Sequence, residues 1–80
     1  MGLKEDLVEE IGRLFDDFLR IENITYEQIQ WEVDNFIYPF IGSYLAEGRL
    51  TREEGRDVFM FCELRLKEIK KMMEDRVAEL

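Results

Sequence analysis

Residues 25–48 read TYEQIQWEVDNFIYPFIGSYLAEG, and this stretch decides the fold. Thr25 stands where a hydroxyl N-cap accepts from the backbone three residues on, and Gln28 stands where its amide reaches back to the cap. Ile24 and Ile29 flank that box as a hydrophobic staple. Gly48 supplies a left-handed C-terminal cap, so the pattern predicts one helix over residues 26–47. Pro39 lies inside it, lacks the N–H that would bond the Asn35 carbonyl, and crowds that turn. A kink or break near residues 35–38 is therefore expected.

Projected at the helical 100° per residue, this segment is apolar on two sides. Tyr26, Ile29, Val33, Phe36, Ile37, Phe40 and Tyr44 share one arc, while Trp31, Tyr38, Ile41 and Leu45 share a second, roughly 150° away. The polar strip is narrow and consists mainly of Gln28, Glu32, Asn35 and Ser43. One arc suffices to face two neighbouring helices, which leaves the second in water unless something covers it. The alternative is a middle helix packed on both sides by its neighbours, with all its aromatics in the core.

Outward from this segment, the apolar residues from Leu3 to Ile21 fall on a single wide arc, predicting a first helix over about residues 3–21. A second capping box, Thr51 with Glu54, opens a third helix over about residues 52–79. Its main stripe is Val58, Phe59, Cys62, Leu66, Ile69, Met73, Val77 and Leu80, while Met60, Phe61 and Leu64 fall well off it. At 1.5 Å per residue the third helix is roughly 40 Å long against roughly 30 Å for the first, so Met73, Val77 and Leu80 are expected to overhang. Connections of about three residues imply antiparallel neighbours. The expected fold class is an all-α, three-helix up-down-up bundle, kinked in its middle helix near Pro39 and assembled as a helical homodimer, with residues 1–80 forming one domain.

Composition sets the limits of function. Eighty residues with 46% hydrophobic side chains and ten aromatics make a chain that folds, near the size at which a partner subunit helps. The net charge of −8 lies wholly in residues 1–48, which hold eleven acids and three bases, against eight of each in residues 49–80. No Lys or Arg occurs from Ile21 to Gly48, a stretch that repels phosphates, so direct nucleic-acid binding is not expected. The apolar run 36–46 is interrupted by Pro39, Gly42 and Ser43 and falls short of the roughly 20 residues of a membrane span. One cysteine and no leader-like N-terminal pattern make the cytoplasm the expected compartment. The charged, histidine-free composition leans toward that of thermophile proteins.

Catalytic chemistry has little to stand on. There is no histidine, and Cys62 sits mid-stripe with no imidazole to activate it, so it reads as a small core residue. Carboxylates alone can hold Mg²⁺, and Glu53, Glu54 and Asp57 are the weak metal candidates, with Glu27, Glu32 or Asp34 as further donors. Glu54 with Asp57 is similar in spacing to one half of the metal motif of the all-α nucleoside-triphosphate pyrophosphohydrolases. The other half has no counterpart, since Glu9 and Glu10 are followed three residues later by Arg13, and membership of that family is not assigned. Acids in a first helical turn more simply serve the cap and the helix dipole.

The sequence thus reads as a small acidic interaction or oligomerisation module without intrinsic catalysis and without a cofactor. Its partner is expected to be a second copy or another protein, and the expected interface is Trp31, Tyr38, Ile41, Leu45, Met60, Phe61 and Leu64, with Trp31, Tyr38, Phe61 and Leu64 as anchors. The alternatives are a Mg²⁺-dependent, all-α nucleotide hydrolase-like protein and an acidic decoy that imitates nucleic acid.

Overall fold

A computed structural model of the chain describes residues 2–78, with side chains described through Asp75. The described residues form three helices and no strand. Helix α1 is Leu3–Arg20. Helix α2 occupies residues 26–46 as three consecutive segments: α-helical Tyr26–Glu32, a π turn at Val33–Ile37, and α-helical Tyr38–Ala46. Helix α3 is Arg52–Ala78.

The helix ends follow the local chemistry of the sequence. Both capping boxes form: the Gln28 N–H donates to Thr25 Oγ1 and the Thr25 N–H to Gln28 Oε1, and Thr51 and Glu54 repeat the exchange at 3.1 and 3.0 Å. Ile24 is half-buried against the core that encloses Ile29, as a staple requires. Asn23 turns the α1–α2 corner with φ 65°, a conformation its short amide side chain tolerates. At the end of α2, the Arg49 N–H bonds the Tyr44 carbonyl at 2.9 Å and the Gly48 N–H bonds the Leu45 carbonyl at 3.1 Å, the paired bonds of a Schellman motif. Gly48 carries that turn at φ 75°. Gly48→Ala is expected to cost about 1 kcal/mol, read as a lowered urea midpoint with an unchanged slope.

The core is a single cluster. Each helix contributes a line of fully or nearly enclosed side chains: Leu7, Ile11 and Phe15 from α1; Ile29, Val33, Ile37 and Ile41 from α2; Val58, Cys62, Leu66 and Ile69 from α3, with Leu50 sealing the α2–α3 corner. Helices α1 and α2 each pack along α3, so α3 occupies the centre and the backbones of α1 and α2 approach each other at few points. Gly55 permits a close contact between α2 and α3, since a Cβ there would stand 2.7 Å from Leu45 Cδ2. Met73 is half-buried against the cluster rather than overhanging it; the Val77 side chain and Leu80 lie outside the described residues.

The π turn explains the α2 stripe. Ile29, Val33, Ile37 and Ile41 are spaced by four, and in a uniform α-helix such a row drifts about 40° at each step. Three α-helical turns take up about 10.8 residues, and the extra residue of one π turn brings that to about 12, the span from Ile29 to Ile41. The Tyr38 N–H reaches back five residues to the Val33 carbonyl, and Asn35 Nδ2 donates to the Trp31 carbonyl at 2.8 Å. Where the sequence predicts a kink or break before Pro39, the helical run is unbroken and widens by one π turn.

Candidate functional site: an apolar groove between α1 and α2

Because α1 and α2 are both held by α3 and only loosely by each other, a groove runs between them on the side away from α3. Two basins lie along it. One, of about 280 Å³, is lined by Leu7, Glu10, Ile11, Leu14, Phe36, Ile37 and Phe40. The other, of about 340 Å³, is lined by Phe18, Ile21, Ile24, Gln28, Trp31 and Glu32. The Trp31 and Phe36 rings, one from each basin, meet edge to face at 5.6 Å.

The groove is where apolar surface remains uncovered. Trp31 is 55% exposed and Phe36 58%, and Leu14, Ile21 and Phe40 are exposed as well. Phe40 stacks on Tyr44 at 5.0 Å, and the Arg49 guanidinium lies 4.7 Å from the centre of the Tyr44 ring, which closes one end of the row.

The residues expected at the interface are divided by the structure. Trp31 lies in the groove. Met60 and Leu64 are exposed one turn apart on α3, on the face opposite its buried Val58–Cys62 line, and so on another side of the molecule from Trp31. Ile41 is fully enclosed, which corrects its assignment to an exposed arc. Tyr38 is half-buried with its ring 5.4 Å from Phe59 on α3, and burial raises its hydroxyl above the usual tyrosine range. Leu45 is half-buried against Gly55, and Phe61 is half-buried with its ring 3.6 Å from where a Cβ of Gly12 would stand. Phe36 and Phe40, which the projection puts on the core arc, face the groove instead. Beyond the π turn the inward stripe is advanced by one residue, which keeps Ile37 inside, brings Ile41 in and turns Phe36 and Phe40 out. The four-residue spacing of Ile29, Val33, Ile37 and Ile41 ahead of a proline is the sequence signal that marks this shift.

The acidic candidates are tied to structural partners. Glu54 Oε1 accepts from the Thr51 N–H, and Asp57 Oδ2 accepts from Lys4 Nζ at 3.2 Å, a bond that also raises the Lys4 pKa. Glu53 is exposed in the first turn of α3. Among the described residues, no group of three or more Asp, Glu, Cys or His side chains converges as a metal site. Cys62 is fully enclosed, and burial pushes its thiol up to about 11. The unfolded chain ionises it near 9.0, so this contribution to stability is complete below pH 9 and is lost as pH rises through 11. Thermal midpoints are expected to fall over that interval, and to fall less in Cys62→Ala. No described helix is long and apolar enough to cross a membrane. Comparison with protein-family models, curated proteins and solved structures gave no match.

Proposed function

We propose that this protein is a protein–protein interaction module whose docking surface is the groove between α1 and α2. The observation that carries the reading is the row Leu14, Phe40, Phe36, Trp31 and Ile21: five large apolar side chains left exposed along two neighbouring basins between α1 and α2, with aromatics of the kind enriched at interface centres. A photo-crosslinking residue at position 36 is expected to capture a partner from an extract of the source cells, whereas the same residue at Lys67, on the wet face of α3, is not. Equal capture from both positions, or none from position 36, would remove the groove as the docking surface.

Self-association is the second reading, favoured by Met60 and Leu64, which are 51% and 56% exposed as an adjacent pair on α3. Such a dimer pairs the outer face of α3 with its copy and leaves the groove open. Sedimentation at micromolar concentration tests it, and Leu64→Glu is expected to return any dimer to monomer with its helicity intact. Hydrolase and decoy readings draw less support, since Glu54 and Asp57 are engaged within the fold and the acids of residues 21–48 are interleaved with aromatics.

A further inference from the structure

We infer that the occupant of the groove is a basic amphipathic helix of another protein; this rests on the docking reading above and adds the chemistry of the guest. The floor is apolar, and the charged residues that line the two basins are acidic; the cation nearest the row, Arg49 over Tyr44 at its end, lies 3.9 Å from Glu47. Glu10 borders the first basin and Glu32 the second, and α2 carries no Lys or Arg anywhere along its length. The three bases of α1 all have acidic neighbours within the fold: Lys4 bonds Asp57, Arg13 bonds Glu9 at 3.0 Å, and Arg20 lies 3.9 Å from Asp17. The groove therefore offers carboxylates without balancing cations.

That sign decides between occupants. A second copy docked groove to groove would bring Glu10 and Glu32 of both chains to the margin of one desolvated contact, where like charges are costly. A helix with Lys or Arg flanking its apolar stripe places opposite charges there and gains in association rate as well. The outer face of α3 is a poor guest for a second copy's groove. It offers Met60 and Leu64 one turn apart, enough for one basin, and it points away from its own groove, so such contacts would not close into a dimer.

Length defines the guest further. From Leu7 to Ile21 the groove follows α1 for about 21 Å, room for roughly four helical turns, and the basin centres are about two turns apart. The guest is thus expected to carry two apolar anchors seven or eight residues apart, the helix-in-groove arrangement.

The test uses the intact chain and its one tryptophan, Trp31, as the reporter. A synthetic helical peptide of about four turns, with leucines along one face and lysines flanking them, is titrated against a second peptide of the same apolar pattern with glutamates for lysines. The lysine peptide is expected to shift Trp31 emission to the blue and to bind at least about tenfold more tightly, with affinity falling as salt is added. Glu10→Lys with Glu32→Lys should invert that preference, and Phe36→Ser should abolish binding while leaving the helical signal unchanged. Equal binding of the two peptides would overturn the basic guest yet keep the groove as a docking surface. Failure of both to bind, with Trp31 emission unmoved, would overturn guest and groove together. A blue shift that tracks protein concentration alone, accompanied by a dimer mass, would assign the groove to a second copy and overturn the proposal.

Discussion

Ile41→Ala is expected to destabilise the protein by roughly 3 kcal/mol, whereas Phe40→Ala next to it should cost only about 1. Ile41 is fully enclosed within the single core cluster, so truncation leaves a cavity that the surrounding side chains can only partly fill. Phe40 is larger, yet it lies at the lip of the groove with much of its ring in solvent. A uniform helical projection predicts the opposite ranking, because it puts Phe40 on the core arc and Ile41 on the outer one. Urea denaturation of the two variants separates the alternatives, and a greater loss from Phe40→Ala would mean that α2 lacks the π turn.

Deleting Asp34, an exposed residue within the π turn, should cost about 3 kcal/mol, and adding Pro39→Ala to that deletion should recover most of the loss. The deletion leaves Ile37 and Ile41 at the positions a regular α-helix assigns to its inward stripe, so the core itself is preserved. What returns is the clash of the Pro39 ring with the carbonyl four residues before it, which the wider turn relieves. The same deletion made at Arg13 in α1, where the helix is regular, puts Leu7 and Ile11 about 100° out of phase with Phe15. That chain is expected to lose its cooperative transition, and a Pro39→Ala change should do nothing for it.

The two cases show where the sequence was legible and where it was not. Helix ends were readable because a cap depends on neighbours in the chain: Thr25 with Gln28, Thr51 with Glu54, and Gly48 after Ala46 fix their own hydrogen bonds whatever the tertiary fold. The inward face of α2 past Val33 was not, because it depends on a constant angle per residue, and one π turn changes the sum for everything downstream. Trp31 precedes that turn and is exposed as the projection expects; Ile41 follows it and is enclosed where the projection has it outward. The half-burial of Tyr38 and Phe61 escapes the projection for a second reason. Which helix is central is a packing outcome, and α3 in the middle gives both rings a neighbour, Phe59 in one case and the α1 backbone at Gly12 in the other. The groove has the same origin, since it exists only because α1 and α2 share α3 instead of each other.

The corner between α2 and α3 has a consequence for how the chain reaches its native state. Within a dozen residues it combines the Schellman bonds at Gly48, the enclosed Leu50, the Thr51 box and the close approach at Gly55. All of these form between near neighbours in the chain, so they require little loop closure and can assemble ahead of the docking of α1. Stopped-flow measurements should then find that Thr51→Ala slows refolding nearly in proportion to its loss of stability, while Ile11→Val in α1 chiefly hastens unfolding.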